Sequence, residues 1–380
     1  MKIGVDIRVL MDEYYSGVSQ YTANLLTAIL AADKKNNYKL FYNSWDKLDK
    51  KLSIWRRDNA SVIGSHIPNK IFNYFGQSVL AYPKIDKLLG GVDIFWAPHF
   101  NFSSLGAETK KIITVHDLSF LRYPEFFSLR KNCWHKALRV RNILRNADKI
   151  IAVSENTKND IVELVGVLPE KIRVIYSGNN AIKKDVDKDK ADKFLQSHNI
   201  SGRLILYLGT IEPRKNIIGL IAAYEELRAK NSELNDVKLL LVGAKGWKNN
   251  QTYSKWKKSP YKKDIIFLGY INEEERDILY AESSVFAYPS FYEGFGFPPL
   301  EAMTYGLPVV CSNVSSLPEV VGAAAITVNP YESEEIADAL RLVLTDKSLR
   351  ELLISRGYEQ ANKFTWAKTA SEYLDAFEKI

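Results

Sequence analysis

The chain has 380 residues, 46% of them hydrophobic and 26% charged, which is typical of a folded globular protein and long enough for two domains. No apolar run reaches the ~18 residues that suggest a membrane-spanning helix, and residues 1–10 lack the apolar core of a secretion signal, so we expect a cytoplasmic protein. The formal net charge of +7 favours anionic partners, such as nucleotides or an anionic membrane surface.

The cysteines and histidines argue against several kinds of site. Cys133 and Cys311 are the only cysteines, and their wide separation predicts two reduced, buried thiols rather than a disulfide. The five histidines show no metal-ligand spacing such as H-x-x-x-H, so no metal ion is expected. Neither a zinc-finger pattern nor an RNA-binding signature occurs, and we therefore expect no nucleic-acid partner.

Short apolar segments alternate with longer amphipathic ones along the whole chain. In the first half, the predicted strands are residues 3–7, 39–42, 94–96, 112–115, 150–153 and 173–175, and the predicted helices are residues 18–31, 131–146 and 157–165. In the second half, the predicted strands are residues 204–208, 238–242, 265–268, 285–288, 309–311 and 325–328, and the predicted helices are residues 216–230, 273–281, 298–305, 333–345 and 348–363. This alternation is the pattern of βαβ units, which build a parallel sheet covered by helices.

The two sets of elements predict two domains. The polar, charge-rich segment 181–202 separates them and is the predicted linker. The sequence therefore predicts an α/β protein with two Rossmann-like domains, residues 1–180 and residues 203–364. The amphipathic segment 365–380 follows the helices of the second domain, and its pattern fits packing against either domain.

The predicted helix 131–146 is strongly basic. Its cationic residues, together with the residue just before it, are Arg130, Lys131, Lys136, Arg139, Arg141 and Arg145. They surround an apolar stripe of Trp134, Ala137, Leu138 and Leu144. A solvated basic face over a core-facing stripe accounts for this pattern, and so does a surface for lipid phosphates with an aromatic side chain at the membrane interface.

Glu293 and Glu301 bracket seven uncharged residues, 294–300, which include two glycines and two prolines. Pro298 and Pro299 suit the first turn of a helix, so Glu293 is predicted on a loop and Glu301 in that first turn. Loop glycines beside a helix N-terminus leave backbone N–H groups that suit an anion such as a diphosphate. Because ligands bind beyond the carboxyl ends of the strands in open α/β sheets, the pair of glutamates predicts a ligand site.

A second predicted site lies where Gly209 follows the strand 204–208 and a helix begins at residue 216. Arg214 and Lys215 place two cations at the positive end of that helix. Cations crowded at this end repel each other unless an anion lies between them, and a diphosphate would fit there.

These segments resemble glycosyltransferase family 4, whose retaining enzymes carry an E-x7-E motif and have the GT-B architecture of two Rossmann-like domains facing across a cleft. Residues 293–301 match that motif. Further segments similar to the family are the cation pair Arg214 and Lys215, the T-x-H-D run 114–117, and residues 153–157, 267–270 and 317–320. The loop 15–17 has the single Gly17 where many members have two glycines. The resemblance runs to the C-terminal segment 365–380, which the GT-B fold returns to the first domain.

The resemblance implies a role for individual residues. Arg214 and Lys215 would neutralise the diphosphate of the donor. Glu301 would bind the ribose hydroxyls, whereas Glu293 and His116 would face the donor sugar. The catalytic residues implied in this way are His116, Arg214, Lys215 and Glu293. The implied donor-binding residues also include Gly17, Gly209, Gly243, Tyr270, Gly294, Phe295, Gly296, Phe297, Leu300 and Glu301.

The implied reaction moves a hexose from a nucleotide diphosphate sugar to a glycan, or to a polyprenyl-diphosphate-linked glycan, with retention at the anomeric carbon. Mannose from GDP-mannose is the expected donor, because residues 1–10 and 17–26 resemble mannosyltransferase-like members; a UDP-hexose is the alternative. The first domain would hold the acceptor and the second the donor. No metal cofactor is expected, and the enzyme would work in the cytoplasm at the inner face of the membrane.

Three other functions fit parts of the same pattern. A nucleotide-sugar epimerase would convert the donor without an acceptor, and a non-catalytic module would bind the nucleotide without turnover. A dinucleotide-dependent oxidoreductase is disfavoured, because Pro299 stands where a G-x-G-x-x-G motif starting at Gly294 needs its third glycine.

Overall fold

The computed structural model describes residues 1–11, 17–45 and 48–380, which form two compact units. Unit 1 contains Met1–Arg122, Leu129–Gly178 and Phe364–Ile380, and unit 2 contains Tyr123–Ser128 and Asn179–Lys363. No helix in these described stretches is both long and apolar enough to cross a membrane.

Unit 1 is built on a parallel sheet. Its strands are β1 (Lys2–Asp6), β2 (Asn37–Asn43), β3 (Ala60–Ser65), β4 (Ile94–Ala97), β5 (Lys110–Val115), β6 (Lys149–Ala152) and β7 (Ile172–Val174). They are arranged in the order β3-β2-β1-β4-β5-β6-β7. The helices are α1 (Gly17–Ala32), α2 (Asp49–Leu52), α3 (Ile85–Leu88), α4 (Ser119–Arg122), α5 (Leu129–Leu138), α6 (Val140–Arg145) and α7 (Glu155–Val165), with a π-helix at Ile71–Leu80.

Unit 2 repeats this plan. Its strands are β8 (Leu204–Leu208), β9 (Lys238–Val242), β10 (Ile265–Gly269), β11 (Val285–Tyr288), β12 (Val309–Ser312) and β13 (Ala325–Val328). They form a parallel sheet in the order β10-β9-β8-β11-β12-β13. The helices are α8 (Lys188–Ser197), α9 (Ile217–Lys230), α10 (Asn250–Lys258), α11 (Glu273–Glu282), α12 (Phe297–Thr304), α13 (Leu317–Val321), α14 (Ser333–Thr345) and α15 (Lys347–Ala361).

The last helix, α16 (Trp366–Glu378), belongs to unit 1. The buried hydroxyl of Tyr373 on α16 lies 2.7 Å from the hydroxyl of Tyr21 on α1 and 2.7 Å from that of Thr114 on β5. Its ring packs 5.2 Å from the ring of Trp96, between centroids. Buried hydroxyls need hydrogen-bond partners, so this network holds α16 in one place on unit 1.

Each sheet has a switch point, where the strand order reverses between two neighbouring strands. The neighbours are β1 and β4 in unit 1, and β8 and β11 in unit 2. In open α/β sheets the crevice beyond the carboxyl ends of such a pair is where ligands bind. The loop after β8 holds Arg214 and Lys215, and the loop after β11 holds Glu293. The topology of unit 2 therefore brings the two predicted sites to the same point.

Several elements differ from the prediction. The predicted helix 131–146 is two helices, α5 and α6, because Arg139 between them has a left-handed backbone with φ of 51°. The predicted linker 181–202 includes α8, whose first N–H groups are capped by the Asp187 carboxylate, and the segment belongs to unit 2. Strand β3 and helix α10 escape prediction, because β3 is half-exposed and α10 buries only Thr252.

The segment Tyr123–Ser128 falls inside the predicted first domain but belongs to unit 2. The carbonyl of Phe126 accepts a hydrogen bond from Trp247 Nε1 over 2.7 Å, and the ring of Phe127 stacks on the Trp247 ring at 5.8 Å between centroids. These aromatic contacts join the segment to the loop after β9. A pattern of local periodicity does not reveal them, because the partners lie 121 residues apart.

Candidate functional site

The candidate site in unit 2 is built on two loops that follow neighbouring strands. One follows β8 and ends in the 3-10 turn Pro213–Lys215, just before α9. The other follows β11 and contains Glu293. The N–H of Phe291 donates to the carbonyl of Arg214 over 2.9 Å, so backbone as well as side chains join the two loops.

The carboxylate of Glu293 lies between two cations. Its Oε1 accepts from Lys215 Nζ at 2.6 Å, and its Oε2 accepts from Arg214 Nη1 at 2.9 Å. Arg214 also donates to Glu212 Oε1 over 2.9 Å and to the carbonyl of Tyr292 over 2.6 Å. We call Glu212, Arg214, Lys215 and Glu293 the ion cluster. Its side chains are at most 15% exposed, and its two carboxylates balance its two cations, as burial requires.

Burial and the neighbouring cations act in opposite directions on the pKa of Glu293. Burial raises the pKa, but Arg214 and Lys215 outweigh it and bring the pKa to about 2. The pKa of Lys215 is lowered, because its ammonium is buried and lies beside the Arg214 guanidinium. Lys215 Nζ also donates to the Tyr288 hydroxyl over 2.5 Å. Glu293 is therefore ionised at neutral pH and has no proton to give as a general acid.

The repulsion expected between Arg214 and Lys215 is relieved within the protein. The sequence predicts a bound diphosphate between the two cations, whereas in the structure the Glu293 carboxylate contacts both. Glu212 supplies the second carboxylate and was missed, although an acid two residues before Arg214 was a signal for it. A diphosphate that binds here has to share these cations with Glu293.

The loop that carries Glu293 is held by Ser316. Ser316 Oγ lies 3.0 Å from the carbonyl oxygen of Glu293 and 2.9 Å from that of Phe295. Gly296 caps α12 with φ of 114°, and a Cβ there would lie 2.8 Å from a methyl group of Leu317. Glycine is therefore required for the turn into α12. Of the other residues predicted here, Gly294 and Leu300 are buried and Phe297 is half-buried.

Glu301 has different partners from Glu293. It lies in the second turn of α12 and not in the first turn as predicted, because the helix already begins at Phe297. Its Oε2 accepts from the Tyr280 hydroxyl of α11 at 3.0 Å. Burial raises the pKa of Glu301, against the opposite influence of Arg276. Among the described residues, the two glutamates share no hydrogen-bond partner.

Glu301→Gln separates a ligand-binding role of this residue from a structural one. Because burial disfavours the ionised carboxylate, the neutral amide should keep the contact with Tyr280 and leave the melting temperature unchanged or slightly raised. If Glu301 binds the ribose, KM for the donor rises ~10-fold or more with a smaller change in kcat, because a ribose hydroxyl left without its acceptor costs ~1–3 kcal/mol. Steady-state kinetics measures the donor KM and kcat, and thermal unfolding measures the melting temperature. An unchanged donor KM would contradict a role of Glu301 in binding the ribose.

A glycine lies at the carboxyl end of each of the strands β8, β9 and β10, namely Gly209, Gly243 and Gly269. The N–H of Gly243 donates to the carbonyl of Gly269 over 2.7 Å. Gly243 has φ of 142°, and a Cβ there would lie 2.0 Å from the carbonyl oxygen of Gly209, so only glycine lets the loops after β8 and β9 meet. Tyr270 follows Gly269 and is 69% exposed, which places most of its surface in solvent at this edge of the sheet.

Unit 1 holds the remaining predicted site residues. His116 directly follows β5, and its Nε2 donates to the carbonyl of Pro98 over 2.8 Å. Burial lowers the pKa of His116, which favours the neutral imidazole. Gly17 begins α1 and is exposed, whereas Tyr15 and Ser16 of the same predicted loop lie outside the described residues. The role of His116 toward a donor sugar stays a prediction.

Comparison with known proteins decides the family. The model described as "Glycosyltransferase Family 4" matches residues 15–181, and that described as "Glycosyl transferases group 1" matches residues 189–360. The O-antigen chain mannosyltransferase B of Escherichia coli is 35% identical over 276 residues, which are 71% of this chain and 71% of that protein. The chain belongs to glycosyltransferase family 4. The family 4 assignment makes it a hexosyltransferase, as predicted.

Two further comparisons bear on length and fold. The serotype-specific mannosyltransferase WbdA of Escherichia coli is 29% identical over 276 residues to this family 4 enzyme, which spans only 34% of WbdA. The solved sucrose-phosphate synthase of Thermosynechococcus elongatus superposes with a TM-score of 0.75 at 21% identity, over 100% of this chain and 98% of that one. The likeness confirms the predicted two-domain GT-B fold.

Proposed function

We propose that this family 4 enzyme transfers mannose from GDP-mannose to a glycan acceptor, with retention at the anomeric carbon. The buried ion cluster at the switch point of unit 2 carries the proposal, because it holds two cations where a donor diphosphate would bind. The choice of mannose is supported by the similarity to mannosyltransferase B and to WbdA, which are mannosyltransferases by name.

The proposed mechanism is electrostatic. The leaving group is a nucleoside diphosphate, so negative charge develops on the phosphate oxygen as the bond to the sugar breaks. Arg214 and Lys215 stabilise this charge, and Glu293 orients both cations before the donor arrives. Preorganised groups in a site shielded from water lower the barrier because they need no reorganisation during the reaction, and each is worth ~100-fold or more in rate.

The ion pairs of Glu293 argue against a role as nucleophile in a reaction that retains the anomeric configuration. Both carboxylate oxygens are bound to cations, which draws away the electron density that a nucleophile needs. In the proposed mechanism Glu293 accepts hydrogen bonds from hydroxyls of the donor sugar and forms no covalent bond to it. The acceptor hydroxyl then attacks from the face that the diphosphate leaves, and the departing phosphate takes its proton.

A cavity of about 370 Å³ in unit 1 supports acceptor binding by that unit. Asp6 and Arg8 line it as a buried pair, in which Arg8 Nε donates to Asp6 Oδ1 over 2.9 Å. Arg8 also donates to Asn73 Oδ1 over 3.0 Å. Burial lowers the pKa of the lining residue His99 to about 4, so its ring is neutral. The lining residues of this cavity carry no net charge and include amide side chains, which suits the hydroxyl groups of a neutral sugar.

The exposed residues of α5 support an acceptor at a membrane. Trp134 and Ala137, which the core-facing interpretation of the stripe would bury, are exposed, and only Leu138 and Leu144 of that stripe are buried. Cys133, also on α5, is exposed and not buried as predicted. Leu129, at the start of α5, is 85% exposed. Exposed apolar side chains beside basic ones suit contact with an anionic membrane surface. The proposed acceptor is therefore a polyprenyl-diphosphate-linked glycan, reached at the inner face of the membrane.

Thermal unfolding with a panel of nucleotides tests the donor. We expect GDP and GDP-mannose, with EDTA present, to raise the melting temperature, since a ligand at 100 times its Kd adds about 2.7 kcal/mol to the native state. UDP, UDP-glucose, ADP and NAD serve as comparisons. A shift with UDP compounds alone would replace the GDP-mannose donor by a UDP-hexose, and a shift with NAD alone or with none would contradict the site. Conversion of GDP-mannose without an acceptor would indicate an epimerase, and binding without turnover a non-catalytic module.

A further inference from the structure

Unit 2 contains a cavity of about 600 Å³, which is separate from the cavity described in unit 1. We call it the lysine cavity, and it is lined by Lys245, Asn250, Tyr253, Ser254, Lys257 and Lys258. Lys245 comes from the loop after β9, and the other lining residues lie on α10. The stretch 244–263 that supplies them contains seven lysines and neither aspartate nor glutamate. None of the lining residues belongs to the ion cluster.

The lysines of this cavity lack acidic partners. Within the stretches that the structure describes, no carboxylate lies within 4.0 Å of Lys245, Lys257 or Lys258. Lys255, on the same helix but outside the cavity lining, is by contrast paired with Glu225 at 2.5 Å. Lysines in the last turn of a helix complement its dipole, but this does not account for Lys245, which reaches the cavity from another segment.

The loop that carries Lys245 is held in place by backbone contacts. The N–H of Ile211 donates to the carbonyl of Ala244 over 3.0 Å, and the N–H of Gly246 donates to the carbonyl of Ile211 over 3.2 Å. A Cβ at Gly246 would lie 2.7 Å from that same carbonyl oxygen. Ile211 directly precedes Glu212 of the ion cluster. The backbone at Lys245 is therefore fixed beside the loop that forms the proposed donor site.

We propose that the lysine cavity binds the phosphate group of a ligand other than the nucleotide-sugar donor. Three ammonium groups supply charge-assisted hydrogen bonds to phosphate oxygens. The hydroxyl of Ser254 and the amide of Asn250 add uncharged donors, and the Lys245 ammonium lies 5.5 Å from the centre of the Tyr253 ring. All the lining residues except Tyr253 are exposed, so the cavity is an open depression, and its volume exceeds what inorganic phosphate needs. The ligand is thus a phosphate ester, either a soluble molecule or a lipid headgroup.

The test compares two pairs of adjacent lysines from the same stretch. Lys257→Gln/Lys258→Gln removes two charges from the cavity, and Lys262→Gln/Lys263→Gln removes two charges from residues that do not line it. Binding of glycerol 1-phosphate is measured by isothermal titration calorimetry. Binding to vesicles of phosphatidylglycerol and phosphatidylcholine in equal parts is measured by sedimentation. Lys245→Gln, from the other segment, is measured in the same two ways.

We expect the control pair to match the wild type, and the Lys257/Lys258 pair and Lys245→Gln each to weaken binding ~10-fold or more. A loss confined to glycerol 1-phosphate identifies a soluble ligand, and a loss confined to vesicles identifies a lipid headgroup. Equal weakening in both lysine pairs would show a non-specific charge effect and overturn the proposal, as would unchanged binding in the Lys257/Lys258 pair.

Lys215→Met distinguishes the lysine cavity from the proposed donor site, which also attracts phosphate. We expect this variant to bind glycerol 1-phosphate or vesicles as the wild type does, even though its sugar transfer is impaired. Loss of all phosphate binding in Lys215→Met would place the phosphate at the ion cluster and overturn the proposal. A wrong donor assignment would leave the cavity measurements unchanged, so the two proposals fail independently.

Discussion

Glutamine in place of Glu293 is expected to lower the rate of sugar transfer ~100-fold or more, the scale of a lost preorganised electrostatic contact. Glutamine has nearly the same shape as glutamate, but its NH2 group must face either Lys215 or Arg214. The cation that meets the NH2 group loses its acceptor and moves away from the place of the departing phosphate. Initial rates with saturating donor and acceptor measure the effect as kcat.

Glu212→Gln is the matched control for this substitution. Glu212 and Glu293 are both buried, at 4% and 6% exposure, but Glu212 contacts Arg214 and not Lys215. We expect Glu212→Gln to lower kcat several-fold at most, because both contacts of Glu293 persist. Equal losses in the two variants would mean that disturbing Arg214 alone explains the effect, and near-normal transfer by Glu293→Gln would remove Glu293 from the site.

The dependence of stability on pH shows whether the Glu293 variant lost its ion pairs. The pKa of Glu293 is about 2 in the folded protein and ~4.3 in an unfolded chain. Its ionisation therefore stabilises the fold above the unfolded-chain value, and this contribution is lost as the pH falls towards 2. The difference in unfolding free energy between the wild type and Glu293→Gln, measured with urea, should shrink as the pH is lowered from about 7 to about 3.

Lys215→Met is expected to lower kcat ~100-fold or more while the protein stays folded. Methionine fills most of the volume of lysine without its charge. The unbalanced carboxylate lowers the stability, but the lost desolvation cost of the ammonium and the remaining contact with Arg214 offset part of this loss. The change leaves Glu293 paired with Arg214 alone. The departing diphosphate then lacks the cation that contacts both Glu293 and Tyr288.

Tyr288→Phe is the control for the Lys215 variant. It removes the hydroxyl that accepts from Lys215 Nζ but keeps the ring, whose centre lies 4.8 Å from that nitrogen. We expect a loss in kcat below ~10-fold, well under that of a lost preorganised contact, because Lys215 keeps its contacts with the Glu293 carboxylate and with the ring. Transfer by Lys215→Met within a few-fold of the wild type, with an unchanged melting temperature, would contradict a catalytic role for this lysine.

Most of the helices and strands could be predicted from the sequence, because the local pattern of apolar and polar residues reflects which side chains are buried. An apolar run such as the one that forms β8, or a capping residue such as Asp187, can be recognised from a few neighbouring residues. This pattern does not predict α10, which buries few side chains, or the break between α5 and α6, where Arg139 adopts a left-handed backbone conformation. A left-handed arginine has no sequence signal, because residues other than glycine, asparagine, aspartate and histidine rarely adopt a positive φ.

The amino-acid sequence predicts the two-domain α/β plan and the family, and it locates the chemically informative residues on loops that follow strands. Which of these loops meet depends on the order of the strands in the sheet. Lys215 and Glu293 are 78 residues apart and touch because β8 and β11 are neighbours in the sheet. The same topology makes Glu293 the anion between the cations, where the sequence predicts a diphosphate. Strand order rests on backbone pairing between distant segments, and no local pattern of side chains encodes that pairing.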